Sequence, residues 1–388
     1  MGDKAFVTPS VLKWSRQTAL MTVEQAAGKA GVTERQIIAW ESGTDRPTVR
    51  QARLLAEAYR RPFALFMLPT PPKDWTPLKD FRKRNAIPFT SATEFLIRDL
   101  RSKQAWAHEW NKEQGEENLP FVGRFTLRAN AAAVAEDILK ELDIDPPNYD
   151  DPMKEWLVKA EARGIYISRT SYLNSHLTLN SDEFQGFAIA DPMAPLIFIN
   201  TEDWSTAQLF TLVHELAHIW IGETGISNEV KPDVKPDPDI DRVERFCNQV
   251  AAIALMPDAY VTNLPSSTFT SPDEVFREAK RFGVSSFALL VRARNLELLS
   301  QSKYNSLKSE AERAFQAFEA KEKSRKTAAK KSTGGPDAHR MQVYRNGQLF
   351  SRMVLDAYHG GLIQPGEASH LLGTKINEFT KLEKFVYA

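Results

Sequence analysis

Cysteine is almost missing from this 388-residue chain: Cys247 is the only one, so no intramolecular disulfide can form and a secreted, cross-linked fold is not expected. Long apolar runs are missing too. No stretch approaches twenty uninterrupted apolar residues, and none precedes a small-residue cleavage site at the N-terminus. A soluble cytoplasmic protein with no membrane contact is the expectation. Net charge is also absent, since 50 basic side chains balance 50 acidic ones. The balance is uneven, however: residues 1–84 hold fifteen Lys or Arg against eight Asp or Glu, a surplus of seven. That end can face a polyanion although the whole chain is not basic. The length suits two or three domains.

Residues 9 to 68 read as a compact helical bundle. Thr22-Val-Glu-Gln25 and Thr33-Glu-Arg-Gln36 are two capping boxes on either side of a Gly31-Val32 turn, so short helices are expected at 22–30 and 33–41. Val23, Ala26, Ala27 and Ala30 should pack against Ile37, Ile38 and Trp40, the alanines allowing a close crossing. Thr33, Glu34, Arg35 and Gln36 would lead the second helix into a major groove. Gln25, Arg46 and Arg50 would hold the phosphate backbone. The bland account is a bundle used for dimerisation or protein docking. The pattern Thr22-x-x-Gln-Ala-Ala, Gly31-Val32, Trp40-Glu41-Ser-Gly43 and Arg46-Pro47-Thr48 resembles the Xre, phage-repressor-like helix-turn-helix family. That resemblance implies operator binding, usually by a dimer.

His214-Glu215-Leu216-Ala217-His218 puts two imidazoles one helical turn apart with a carboxylate between them, the spacing by which a helix offers a divalent metal and a general base to one water molecule. Ser205-Thr-Ala-Gln208 reads as a capping box opening this helix, and Gly222 as its stop. Two histidines do not make a tight hydrolytic zinc site, so a third ligand is required. Glu244 fills that place on a second apolar helix marked by Phe246, Val250, Ile253 and Ala254. Glu215 stays outside the coordination shell as the base that takes a proton from the attacking water and returns it to the departing amine. Asp241 and Asn248 could orient a ligand imidazole. Cys247 could approach the metal, but a buried core cysteine is the commoner outcome. By chance alone, two histidines at this spacing also occur on ordinary amphipathic helices.

The ordered set Ala194-Pro-Leu-Ile-Phe-Ile-Asn200, Phe210-Thr-Leu-Val-His214-Glu-Leu-Ala-His218, Glu244-x-x-Cys-Asn248-x-x-Ala-Ala252 and Leu255-Met-Pro257 resembles the ImmA/IrrE family of zinc metallopeptidases over roughly residues 150–300. The family usually has alanine where this chain has Cys247. The resemblance implies His214, His218 and Glu244 as Zn2+ ligands and Glu215 as base. It also implies a DNA-bound repressor as the leading substrate, cleaved to relieve repression of stress or mobile-element genes. Fusion to an Xre-like module occurs in this group, sometimes in regulators or antitoxins, which adds a toxin partner and a homodimer to the expected associations. The alternative function is a transcriptional repressor or antitoxin whose metal domain turns over little. Leu196, Phe198 and Asn200 lie on a β segment that could accept an extended peptide substrate if it is the open sheet edge.

The fold class expected is multidomain α+β: an all-α helix-turn-helix bundle (1–70), linker and packing helices (71–120), a zincin-like metallopeptidase domain with a small mixed or antiparallel sheet (121–300), a helix and basic flexible linker (301–340), and a small helical C-terminal module (341–388). The linker is placed at Lys321 to Lys331, with six basic residues, and the breakers that follow it. Tyr344 to Gln348 reads as a short strand and turn ahead of a helix from Phe350 to Tyr358.

Overall fold

The computed structural model describes residues 3–72, 78–80, 87–147, 149–174, 177–203, 205–227, 242–329 and 337–388. Its N-terminal elements are α1 (Pro9–Thr18), α2 (Val23–Ala30), α3 (Glu34–Ser42), α4 (Val49–Ala58), β1 (Lys79–Asp80) and α5 (Ser91–Glu113). The central ones are α6 (Ala131–Leu142), α7 (Pro152–Ala162), β2 (Tyr166–Thr170), β3 (Tyr172–Asn174), β4 (Leu177–Thr178), β5 (Gly186–Ile189), β6 (Leu196–Asn200), α8 (Ser205–Trp220), β7 (Gly225–Ser227) and α9 (Arg242–Leu255). The remainder is helical: α10 (Asp258–Thr262), α11 (Pro272–Phe282), α12 (Ser286–Asn295), α13 (Gln301–Ala329), α14 (Ala338–Asn346), α15 (Gln348–His359), α16 (Pro365–Leu372) and α17 (Phe379–Val386). The chain is α+β and gathers into two compact units. One comprises Met1–Pro77, Ile87–Ser102 and Tyr172–Leu179; the other comprises Leu78–Ala86, Lys103–Ser171 and Asn180–Ala388.

In the first unit both expected capping boxes form. Thr22 accepts from the Gln25 N–H and Thr33 from the Gln36 N–H, and each glutamine side chain accepts the threonine's own N–H in return. Thr48 and Gln51 make a third box at α4. Gly31 closes α2 at φ +65°, a left-handed conformation that costs a side-chain-bearing residue more. Ala26, Ala27 and Ala30 are buried with Ile37, Trp40, Leu12 and Leu55. Glu41, in the middle of the family-like motif, is a structural bolt: both its oxygens accept from the Arg16 guanidinium, at 2.7 and 2.8 Å. Ile38, expected in this core, is instead 56% exposed. Adjacent residues on a helix point about 100° apart, and Ile37 with Trp40 already defines the inward face.

In the second unit a five-stranded mixed sheet runs in the order β1-β7-β5-β6-β2. β6 is parallel to β2 and antiparallel to β5, β5 is antiparallel to β7, and β1 is parallel to β7. All five residues of β6 are buried, as its unbroken apolar run requires of a central strand covered on both faces. α8 packs on β5 and β6, α9 packs on α8, and α6 packs on α9. Leu209, Leu212, Val213 and Leu216 of α8 share one core with Val250, Ala251 and Ala254 of α9 and with Val134, Ala135 and Ile138 of α6.

Several local expectations change. Ser205 is the first residue of α8 rather than its cap, and the Gln208 amide donates to the Asp203 carbonyl. Tyr344 to Asn346 are the end of a helix rather than a strand, because Asp337 accepts from the His339 and Arg340 N–H groups and starts α14, while the expected turn is present at Gly347, φ +84°, before α15 begins. α13 runs on to Ala329, so the basic run from Lys321 is helical that far, and 330–336 lie outside the described residues. Residues 341–388 cluster with the second unit: α14 packs on β2, the Ser168 hydroxyl donates to the Arg345 carbonyl, and Glu161 accepts the Leu349 N–H. Among the described residues, no helix is long and apolar enough to cross a membrane.

Candidate metal centre

The contact between α8 and α9 brings three ligand-type side chains to one point. His218 Nε2 lies 3.1 Å from His214 Nε2 and 3.1 Å from Glu244 Oε1, and His214 Nε2 lies 3.4 Å from Glu244 Oε2. Donors about 2.0 to 2.1 Å from a tetrahedral zinc ion stand about 3.3 Å from one another, so the triad has the spacing that the ion demands. Two imidazoles and one carboxylate are also the donor set of a hydrolytic site with a coordination position to spare. All three are buried, His214 at 3%, His218 at 0% and Glu244 at 1% exposure. Water does not compensate their charges there.

Glu215 stands outside the triad, fully buried on α8. Its carboxylate rests against β5, where a Cβ added at Gly186 would come within 3.0 Å of Glu215 Oε1, 2.6 Å of Thr211 Cγ2 and 2.8 Å of the Phe198 carbonyl. Only glycine allows the strand backbone this close to the acid. An isolated glycine in an apolar strand is the sequence signal for such an approach.

Residues 160–294 match the family model of the IrrE N-terminal-like domain, and residues 12–66 match that of the helix-turn-helix. The chain joins an IrrE-like zinc peptidase domain to a helix-turn-helix domain. No curated protein matches it. The peptidase match spans β2 to α12 and therefore contains the sheet face, the His-Glu-x-x-His helix and the glutamate-bearing helix.

The surroundings of the peptidase triad fit a metal in its tautomers and charges. Asn248 Oδ1 lies 3.0 Å from His214 Nδ1 and accepts its proton, which frees the Nε2 lone pair for an ion. Asp241, the other expected orienting group, lies outside the described residues. Cys247 is buried on α9 and is not part of the triad. Burial opposes charge on His214, but the Glu244 carboxylate more than offsets it and holds the imidazole up at about 9. Burial holds His218 below its ordinary value. Burial would raise Glu244, yet His214 and His218 bring it down to about 2. The site thus keeps a carboxylate anion in the core and wants a cation beside it, which a proton on His214 supplies only in part.

The open sheet edge on which a substrate role for Leu196, Phe198 and Asn200 depends does not form. β6 is paired along both sides, by β5 and β2, so it has no free edge for a peptide. Asn200 serves the fold, donating to the Phe184 carbonyl and accepting from the Glu202 N–H. In the helix-turn-helix domain Gln25, Thr33, Glu34, Arg35, Gln36, Arg46 and Arg50 are all exposed. The Arg46 guanidinium stacks 4.8 Å over the Phe6 ring.

Proposed function

We propose that this protein is a DNA-bound zinc endopeptidase that cuts a regulatory protein, with a transcriptional repressor as the substrate class. The observation that carries the reading is the buried Glu215 carboxylate on the same helix as two ligands, beside a triad with the spacing of a tetrahedral zinc site. Zinc, when bound, supplies a Lewis acid for the scissile carbonyl and makes the attacking water more acidic. His214, His218 and Glu244 would hold the ion, and Asn248 fixes the His214 ring. Glu215 takes the proton of the attacking water and hands it to the departing amine. Gly186 leaves room for that carboxylate against β5. The helix-turn-helix, led by Glu34 and Arg35 with Arg46 and Arg50 on the backbone, keeps the enzyme at a promoter, where a repressor substrate reaches a high effective concentration.

The complete burial of Glu215 and His218 favours a second reading, a repressor or antitoxin in which the metal holds the fold and a peptide has no access. One pair of proteins separates the two. Native protein and Glu215→Gln are loaded with zinc, incubated with candidate regulatory proteins, and assayed for zinc content and for fragments by mass spectrometry. Equal zinc with cleavage reduced at least about 100-fold in the variant is expected for the peptidase. No fragments from either protein would move the function to the second reading.

A further inference from the structure

We propose that Ile38 reads the 5-methyl group of a thymine in the major groove and so helps set the operator sequence. The inference rests on the DNA-binding reading above. α3 turns Ile37 and Trp40 into the core, and the opposite side of the same helix presents Glu34, Arg35 and Ile38. A branched aliphatic side chain 56% exposed thus stands in the middle of a polar face, one turn beyond an exposed carboxylate and an exposed guanidinium. Single apolar side chains at a surface are common and by themselves carry no meaning. This one occupies the part of the helix that has to meet bases.

The capping geometry narrows the set of readers further. Gln36 Oε1 accepts the Thr33 N–H at 3.0 Å and the Thr33 hydroxyl at 3.1 Å. Glutamine recognises adenine through Oε1 and Nε2 together, so Gln36 cannot do so while it holds the cap. Gln25 is engaged in the same way, its Oε1 accepting the Thr22 N–H at 2.9 Å. Of the exposed side chains of α3 not engaged in a local hydrogen bond, there remain Glu34, matched to a cytosine amine, Arg35, matched to guanine O6 and N7, and Ile38, whose only counterpart on a base edge is the thymine methyl. The exposed Arg35, Arg46 and Arg50 supply the positive charge that a duplex attracts.

Uracil in place of thymine deletes that methyl and nothing else. Duplexes are selected from a random library with the full-length zinc-loaded protein. Each thymine is then replaced in turn, and affinity is read by fluorescence anisotropy at one fixed salt concentration. The native protein should bind about three- to five-fold more weakly at one thymine per half-site, the effect of one buried methyl. Ile38→Ala, a truncation at an exposed position, should show the same deficit on the thymine duplex and no further loss on the uracil duplex. Indifference of the native protein to every replacement, or an undiminished uracil penalty in Ile38→Ala, would overturn the assignment while leaving DNA binding intact. If no sequence is enriched at all, the DNA-binding reading falls and the inference falls with it.

Discussion

In the first unit α2 and α3 meet across Gly31 with their polar residues turned outward, whereas in the second α8 and α9 meet with theirs turned inward. Gln25, Glu34, Arg35 and Gln36 are exposed, but His214, Glu215, His218 and Glu244 are all buried. The first pair is held by Ala26, Ala27, Ala30, Ile37 and Trp40, so Glu34 and Arg35 are free to specify a partner without supporting the fold, while Gln25 and Gln36 are tied to the helix caps. The second pair places charge inside the core, where an unpaired ion costs several kcal/mol, so its chemistry and its stability share the same residues. Substitutions of Glu34 or Arg35 should therefore separate function from stability in the first pair, and loss of a metal ligand should remove both together in the second.

Glu244→Ala is the largest expected effect and the direct way to break the comparison. It leaves two imidazoles facing each other, 3.1 Å apart, with no carboxylate between them and an ion. Zinc should be lost, and unfolding stability should fall by about 3 to 5 kcal/mol, the usual cost of removing one member of a buried pair. Zinc stoichiometry and a denaturant titration measure the two halves. A variant that still bound one zinc per chain would mean that the triad is not the site.

The contrast is sharpened by a region of the first unit that behaves like the second. Glu94 on α5 is 6% exposed and lies near Arg61, Arg98 and Arg101, yet burial outweighs those three charges and pushes its carboxyl up to about 7. Burial acts on the partners as well, bringing Arg98 down to about 10. An acid whose folded value lies above its unfolded value binds its proton more tightly when folded. Its contribution is fully present below about pH 4.5 and is lost as the pH rises through about 7. From pH 5 to pH 8 the first unit should lose on the order of 2 to 3 kcal/mol. Glu94→Gln should flatten that profile, with denaturation midpoints at the two pH values as the readout. A native profile already flat over this range would show that the arginines prevail over burial.

The same contrast explains what could be read from the sequence. The metal triad was legible because ligand chemistry restricts residue type and helical periodicity restricts spacing: His214 and His218 had to share a stripe, and Glu244 needed only a second apolar helix to carry it. Capping boxes and the Gly31 turn were legible because both are local. Neighbours within a sheet are not local, and nothing in Leu196 to Asn200 distinguishes a strand paired on one side from one paired on both. β1 is two residues long and, among the described residues, is defined by its pairing with β7 alone. Tyr344 and Val343 favour a strand by type, but the Asp337 cap and the packing of α14 on β2 decide for a helix. Ile38 lies outside the core because it stands about 100° round α3 from Ile37, on the side away from Trp40.

Arg46 and Arg50 define the smallest expected effect and the cleanest separation of function from fold. Both are exposed, and a phosphate contact acts through counterion release rather than through base identity. Each alanine substitution should weaken every duplex to a similar degree and reduce the slope of log affinity against log salt by about 0.9. Arg46 also stacks on Phe6, so its replacement removes a surface cation–π contact worth about 0.5 to 1 kcal/mol, while Arg50→Ala should leave the melting temperature in place. Zinc content should not change in either variant, because neither residue belongs to the ligand triad. If the slopes stay at the native value while affinity falls for selected sequences alone, the two arginines contact bases, and the division of this surface into positioning and reading residues has to be redrawn.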